Sequence, residues 1–255
     1  MRIVSWNVNG IRACYKKNLM GFIQMETPDV LCLQETKALI EQVDEPVKLL
    51  GYDKSYWMSA KRKGYSGVAT FSNIPPVEVK HGIGIAEYDS EGRVLITSYE
   101  KFDIYNIYFP NGGSGDERHL FKQNFLKDLY HLLKNELSRG KEIIVVGDYN
   151  IAHQEIDIFD PIKFVKESGF LPEERTWFDR FIELGFVDSF RELNPNLKNK
   201  YSWWSYREFS RVGNRGWRID YICLSKGLRK YLKSADILDH VDGSDHCPVR
   251  ADFEF

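Results

Sequence analysis

An α/β fold built on mixed β-sheet is what this 255-residue chain predicts, and three features of the sequence predict it. Short Val/Ile-rich runs recur, bounded by Gly, Pro or Asn. Segments with helical apolar spacing lie between several of them. The runs also stop on the same kinds of residue. Ile3-Val4-Ser5-Trp6 leads to Asn7 and Asn9, and Asp29 to Leu33 leads to Gln34-Glu35. Asp103 to Ile107 leads to Tyr108 and Asn111, and Glu142 to Val146 leads to Gly147-Asp148-Tyr149-Asn150. Ligands of α/β sheets gather at strand ends, so a crevice lined by Asn, Glu, Tyr, Asp and His is expected.

The elements follow in chain order. Residues from about Lys16 to Met25 read as a helix that stops before Pro28. Gly64 to Phe71 reads as a turn entering a strand, and Gly82 to Gly92 followed by Arg93 to Thr97 as another hairpin. Asp116 to Leu137 carries Leu120, Phe121, Phe125, Leu129, Leu132 and Leu133 at amphipathic-helix spacing. Glu173 to Leu184 reads as a helix, and Arg218 to Leu224 as a strand with Asp220 inside it. A second half resembling the first allows two sheets to pack face to face with helices outside.

Composition sets the outer limits. A 43% hydrophobic fraction with 14% aromatics builds a sizeable core and excludes disorder. The net charge of −2 advertises no global basic field, so a polyanion has to be held by a local patch. Cys14, Cys32, Cys223 and Cys247 lie far apart without C-x-x-C spacing and read as reduced thiols of a cytoplasmic protein. Met1-Arg2 runs straight into a strand, so no signal peptide is expected; no membrane-length apolar run occurs and no repeat or linker divides the chain.

Five blocks occur in order: Ser5-Trp6-Asn7-Val8-Asn9-Gly10, Leu33-Gln34-Glu35-Thr36-Lys37, Gly147-Asp148-Tyr149-Asn150-Ile151-Ala152-His153, Gly216-Trp217-Arg218-Ile219-Asp220-Tyr221 and Ser244-Asp245-His246. Together they span essentially the whole chain, and the ordered set is far more specific than any one block. On these residues the chain resembles the exonuclease III-type abasic-site endonucleases of the endonuclease/exonuclease/phosphatase superfamily. The resemblance implies one catalytic domain over residues 1–255. It also implies a DNase I-like four-layer sandwich, two packed mixed β-sheets flanked by α-helices.

Phosphodiester cleavage needs an activated water, charge neutralised on the phosphoryl oxygens and a stabilised leaving oxygen. Glu35 and Asp245 are oxygen donors suited to Mg²⁺, with Mn²⁺ as a substitute, whereas the lack of a His/Cys cluster argues against zinc. The resemblance places Asn9 with them on the metal side. Asp148 and Asn150 share one tight strand exit, which supplies a carboxylate and a neutral amide together. His246 suits a phosphoryl oxygen if a carboxylate engages its other ring nitrogen, and the resemblance casts Asp220 as that partner. It likewise casts Tyr108 as a phosphate-side hydroxyl and Asn7 as the residue that holds the catalytic carboxylate.

Each residue taken singly has a plainer role: Asp148 as a turn former, Glu35 as a helix cap, Tyr108 as a sheet aromatic, His246 as a structural histidine. Asp220 resists that reading, since an acid amid Trp217, Ile219, Tyr221 and Ile222 is costly unless paired.

Between Lys200 and Arg218 the local charge is +4, and Tyr201, Trp203, Trp204, Tyr206 and Trp217 interleave with Arg207, Arg211, Arg215 and Arg218. That pattern suits a DNA backbone track beside an apolar pocket, or else a tryptophan core with a solvated arginine rim. By resemblance, Trp203, Trp217 and Ile219 form a pocket for a flipped sugar that lacks its base, which is least costly to extrude where no base pair must break. Arg207 falls where relatives wedge into the minor groove. Asn111, Arg12, Lys37 and the Lys61-Arg62-Lys63-Gly64-Tyr65 turn complete the expected DNA contacts.

Three departures stand out. Asn9 replaces the Asp of some relatives, removing a negative charge beside the metal. The Asn111 to Asp116 loop lacks a basic major-groove residue, and Phe164 to Ser168 lacks an Asn-rich phosphate-contacting segment. The expected activity is Mg²⁺-dependent incision 5′ to abasic sites in double-stranded DNA by a monomer, leaving a 3′-hydroxyl, with some 3′ to 5′ exonuclease or 3′-end cleaning. A lipid or inositol phosphodiesterase and a catalytically inactive DNA-binding protein are the alternatives; incision beside uracil or an oxidised base is left open.

Overall fold

The computed structural model describes residues 1–206 and 209–255. Twelve strands are described: β1 (Arg2–Asn7), β2 (Val30–Gln34), β3 (Lys54–Met58), β4 (Val68–Ser72), β5 (Glu78–His81), β6 (Val94–Ser98), β7 (Asp103–Tyr108), β8 (Ile143–Asp148), β9 (Phe186–Asp188), β10 (Asp220–Ser225), β11 (Leu232–Ile237) and β12 (Val249–Phe253). The α-helices are α1 (Ile11–Tyr15), α2 (Leu19–Glu26), α3 (Glu45–Leu49), α4 (Ala86–Asp89), α5 (Asp116–Ser138), α6 (Pro161–Phe164), α7 (Pro172–Glu183) and α8 (Ser189–Leu193).

The strands form two six-stranded sheets, ordered β11-β12-β1-β2-β4-β3 and β5-β6-β7-β8-β10-β9. Each sheet holds one parallel pair, β1 with β2 and β7 with β8, and is otherwise antiparallel. The two halves thus repeat one plan, as the sequence suggests. Between the sheets, Ile3, Val30 and Cys32 of one meet Ile104, Ile144, Val146 and Ile222 of the other. Outside, Phe121, Phe125, Leu129 and Leu133 of α5 and Trp177, Phe178 and Phe181 of α7 cover Tyr105, Ile107 and Val145. On the opposite face Ile11, Leu19, Phe22 and Val47 cover Val4, Trp6, Leu31 and Leu33. Because both faces of the central strands are buried, they read as unbroken apolar runs rather than alternating ones. The four-layer sandwich is the observed fold.

This topology gathers the chemistry at one end. Strands β1, β2, β7 and β8 run out toward Asn7, Glu35, Tyr108 and Asp148. Strand β10 runs antiparallel to β8 and starts there, with Asp220 paired opposite Asp148. Strand β12 is antiparallel to β1 and is entered from the Ser244-Asp245-His246 loop. Gly147 makes the β8 exit possible. Its φ is +142°, and a Cβ there would sit 1.8 Å from the Ile107 carbonyl oxygen.

Four sequence expectations are corrected. The helix expected from Lys16 starts only at Leu19, as α2, because Lys16 to Asn18 form the turn that separates it from α1. Leu120 leaves the apolar stripe of α5 and is exposed, because the core face is set by Phe121, Phe125, Leu129 and Leu133. The Gly82 to Gly92 segment is the connection between paired strands β5 and β6 and contains α4. Asp220 opens its strand rather than lying within it.

Arg218 is the largest revision to the basic track. It is fully buried, with Nε and Nη2 on Asp157 at 2.8 and 3.0 Å and Nη1 on Asp188 at 2.7 Å. Arg191 reaches the same Asp157 at 2.6 Å. Arg211 is also structural, donating to the carbonyls of Asp239 and Val241 at 2.8 and 2.7 Å and lying over the buried Trp204 ring. Lys200 pairs with Asp239 at 2.8 Å. Removing one partner from a buried pair strands the others. Arg218→Met is expected to cost about 3–5 kcal/mol in a urea unfolding titration; a variant of unchanged stability that has lost only DNA affinity would return Arg218 to the track.

Candidate active site

The site is a cleft of about 600 Å³ between the exits of the two sheets. At its floor the Asn7 side chain is fully buried, and its Nδ2 donates to Glu35 Oε1 and to Asp148 Oδ2, each at 2.8 Å. One amide therefore ties a carboxylate of the first sheet to one of the second.

Asp148 accepts further bonds from the Asn150 backbone N–H at 2.8 Å and from Asn150 Nδ2 at 3.3 Å. The same Nδ2 donates to the Phe109 carbonyl at 3.0 Å, while Asn111 Nδ2 donates to Asn150 Oδ1 at 3.1 Å. Asn150 thus orients Asp148 and anchors Asn111 rather than presenting a free donor. Burial pushes the Asp148 carboxyl up to about 7; the His246 charge opposes this and the charges of Asp220 and Glu35 add to it.

His246 is buried, with Nδ1 on Asp220 Oδ2 at 2.8 Å and Nε2 facing Asp148 Oδ2 at 3.8 Å. Burial works against its charge, but Asp220 and then Asp148 outweigh it and raise the imidazole to about 10. The Ser202 hydroxyl accepts from the backbone N–H groups of Ile219 and Asp220 at 3.0 Å each and fixes the start of β10. Tyr108 is held as a neutral phenol. Burial raises its pKa well above the ordinary value, the charges of Glu35 and Asp148 add to that, and Arg93 opposes it. Arg93, buried beneath the Tyr108 ring at 4.9 Å from its centroid, also donates to the Tyr108 carbonyl at 3.0 Å.

On the other wall, Asn9 Nδ2 donates to Asp245 Oδ1 at 2.9 Å, and the Lys37 ammonium bridges Asn9 Oδ1 and Glu35, the latter at 2.8 Å. Lys37, expected on DNA phosphate, is placed inside the acidic cluster. Ligand-type atoms of Glu35, Asp148 and His246 all lie within 4.8 Å of one another. The geometry therefore draws Glu35 toward Asp148 directly and links it to Asp245 and Asn9 through Lys37. Asn9, Glu35, Lys37 and Asn150 have positive φ between 45° and 51°. Such backbone strain costs on the order of 1–3 kcal/mol per residue and clusters where a site over-determines its geometry.

Trp203, Trp217 and Ile219 come together as lining of the same cleft. The Trp203 and Trp217 rings meet edge-on with centroids 6.1 Å apart, and Phe164 closes against Trp217 at 5.1 Å. Trp203 Nε1 donates to Asp245 Oδ2 at 3.2 Å. Arg12 and Lys61 to Lys63 are exposed. The Arg207 expectation falls outside the described residues. Sequence reasoning missed Phe164, Ser202, Ser168-Gly169 and Arg93; only Arg93 carried a signal, an arginine opening a strand otherwise made of buried residues.

With this geometry in view, the comparisons are direct. Residues 4–246 match the Endonuclease/Exonuclease/phosphatase family. The chain belongs to that family. It is 44% identical over 251 residues to an exodeoxyribonuclease of Bacillus subtilis, covering 98% of each chain. It is 41% identical to the DNA repair nuclease APEX1 of Danio rerio, over 98% of this chain and 81% of that one. Among solved structures, an AP endonuclease from Archaeoglobus fulgidus aligns over the full length of both chains with TM-score 0.89 and 29% identity. A 3′ phosphatase from Neisseria bound to a product DNA hairpin aligns equally completely, at TM-score 0.91 and 28% identity. The family member described here is a hydrolase of the exonuclease III type. No helix among the described residues is long and apolar enough to cross a membrane.

Asp220 sets the charge on His246, and this is measurable. In an NMR titration the His246 imidazolium is expected to persist well above pH 7, and in Asp220→Asn to deprotonate at lower pH, toward the ordinary histidine range near 6.5. The same midpoint in both proteins would remove Asp220 from this role.

Proposed function

We propose that this enzyme hydrolyses the phosphodiester 5′ to an abasic site in double-stranded DNA and leaves a 3′-hydroxyl, with Mg²⁺ as cofactor and Mn²⁺ as a substitute. Some 3′ to 5′ exonuclease or 3′-end cleaning accompanies it. The observation that carries the reading is the juxtaposition of a buried carboxylate-imidazole-amide cluster with an aromatic wall of Trp203, Trp217 and Phe164 lining one cleft. The family resemblance assigns this wall to a flipped sugar that lacks its base, whose extrusion breaks no base pair. The Archaeoglobus relative, named an AP endonuclease, supports this substrate, and the Danio relative, named a DNA repair nuclease, supports action on DNA in repair.

The donor set fits a hard divalent cation. Glu35, Asp148 and Asp245 offer carboxylate oxygens around one cleft, and the four cysteines are all buried away in the core. Burial above all, and then the charges of Asp220 and Glu35, raise the Asp148 pKa, and a cation held beside it would relieve that cost. Glu35, Asp245 and Asn9 would hold it, and when bound it neutralises negative charge on the phosphoryl oxygens.

The protein groups divide the remaining work. Asp148, poised near neutrality, exchanges a proton with the attacking water or the leaving oxygen. His246, kept cationic by Asp220, donates from Nε2 to a phosphoryl oxygen. Tyr108 supplies a neutral O–H to the same phosphate. Asn7 and Asn150 fix the orientation of the Asp148 carboxylate. Arg12 and the Lys61 to Tyr65 turn meet flanking phosphates, and Asn111 lines the cleft beside Asn150.

On an end-labelled duplex with one abasic analogue, wild-type protein is expected to make a single cut 5′ to the lesion with Mg²⁺ and none with chelator. Asp148→Asn should slow that cut by about 10²–10⁴-fold with little change in duplex affinity; equal loss of both would deny it the proton-transfer role. Cutting in no lane would redirect the search to lipid and inositol phosphodiesters. Trp217→Ala should open the cleft and raise cleavage of undamaged relative to abasic duplex, and an unchanged ratio would place discrimination elsewhere.

A further inference from the structure

Behind the cleft lies a fully buried ion pair that none of the assigned roles uses. Lys122 of α5 and Glu174 of α7 are both 0% exposed, with Nζ and Oε1 2.5 Å apart. Lys122 Nζ also donates to the Asn150 carbonyl at 2.8 Å. Glu174 Oε2 accepts the backbone N–H groups of Gly169 and Leu171 at 2.6 and 3.2 Å, and Oε1 accepts the Ser168 hydroxyl at 3.3 Å.

Every one of these partners outside the pair lies in a loop or at a helix start, and none in a strand. Asn150 is the residue that orients Asp148. Ser168 and Gly169 line the aromatic side of the cleft. Gly169 sits so close to Trp217 that a Cβ would come within 3.0 Å of the indole, and its carbonyl accepts the Ala152 N–H at 2.7 Å. A Cβ on Gly112 would lie 3.3 Å from Lys122 Cδ and 2.8 Å from Ser168 Oγ, so the Asn111 loop leans on the same hub.

A buried ion pair is a poor way to gain stability, since apolar side chains of similar volume often serve as well or better. Its advantage here is directional. Two charges with fixed donors and acceptors hold two loops at a set distance, the Asn150 turn and the Ser168 to Leu171 segment, and the Asn111 loop packs against them. We propose that Lys122 and Glu174 are positioning residues that fix the Asn150 turn against the Ser168-Gly169 wall, so that the pair governs turnover rather than fold stability. The proposal rests on the abasic-site reading above. A displacement of about 1 Å at reacting groups is enough to cost about 10²-fold in rate.

The test uses the full chain and compares wild type, Asp148→Asn, Lys122→Arg, Glu174→Gln and the double variant Lys122→Met/Glu174→Leu. The double variant is expected to melt cooperatively close to wild type, yet to lose about 10-fold or more in kcat with KM changed by less than about 3-fold. Lys122→Arg keeps charge and donors and should retain most of the rate. Glu174→Gln keeps the volume and one oxygen, and should fold and lose rate in the same sense.

Amide exchange on the same proteins gives a readout independent of substrate. Exchange of the Gly169 N–H should speed up in the double variant, while β8 amides stay protected. Wild-type kcat in a folded double variant, or failure of both it and Glu174→Gln to fold, would overturn the proposal. If wild type cuts no abasic duplex, the functional reading fails, and the exchange at Gly169 still decides whether the pair positions the loops.

Discussion

The Asn7 amide group is the narrowest constraint in the molecule. Its two Nδ2 hydrogens are spent on Glu35, which follows a strand of the first sheet, and on Asp148, which ends a strand of the second. Two sheets that meet through apolar side chains have no intrinsic reason to stop at one relative position, because hydrophobic contact is non-directional. Hydrogen bonds between their exits supply that direction. Gln34 adds a second tie, donating to Asn106 of the opposite sheet at 2.8 Å, and Asn106 in turn donates to the Ala69 carbonyl at 2.9 Å. Both amides are completely buried, so each missed bond would carry a desolvation cost as well as a geometric one. Placement of Asp148 relative to Glu35 is therefore set by the packing of the whole sandwich.

Electrostatics explains why so much of the polar structure is devoted to holding this one cleft. Glu35, Asp148, Asp220 and Asp245 converge on a region where His246 and Lys37 supply positive charge. Lys37 spans Glu35 and Asn9, and Asn9 turns its amide N–H to Asp245, so the neutral residue at position 9 relays one cation between two carboxylates. An Asp at that position would repel Asp245 instead. The pair Asp220–His246 is closed on the side away from solvent, and Asp220 Oδ1 has no hydrogen-bond partner among the described residues. A buried carboxylate oxygen left unpaired costs stability, and what offsets it is the charge kept on His246.

Much of this was legible in the sequence, and for a physical reason. Strands buried on both faces announce themselves as apolar runs, and although a single polar residue at such an end is ordinarily a turn former, five ordered blocks of them are not. Asn7, Glu35, Asp148 and Asp220 are legible from that ordered set and the family resemblance it carries, and Asp220 stands out further because its neighbours are apolar. What escaped was pairing across sequence distance. Arg218 looked like a solvated arginine because Asp157 and Asp188, which bury it, lie in other segments. Lys122 sits in an amphipathic helix where a lysine ordinarily marks the wet face, and nothing local reveals that α7 brings Glu174 over it. Leu120 erred in the opposite sense: helical period alone cannot say where the apolar stripe ends. Local pattern specifies elements and their faces, whereas a buried charge is specified only by its partner.

The aromatic wall and the Asp148–His246 cluster are one mechanical unit rather than adjacent features. Trp203 is backbone-bridged to both Trp217 and His246, so one residue joins the cleft wall to the imidazole. Its indole N–H reaches Asp245, on the side where a cation would be held. Across the cleft Gly169 backs Trp217 and leads through Glu174 and Lys122 to Asn150 and thence to Asp148. A group seated against the indoles therefore bears on the imidazole from one side and on the Asp148 carboxylate from the other. In such an arrangement the same contacts that select a substrate also align the reacting atoms, so poor fit in the cleft is expressed as slow chemistry as well as weak binding.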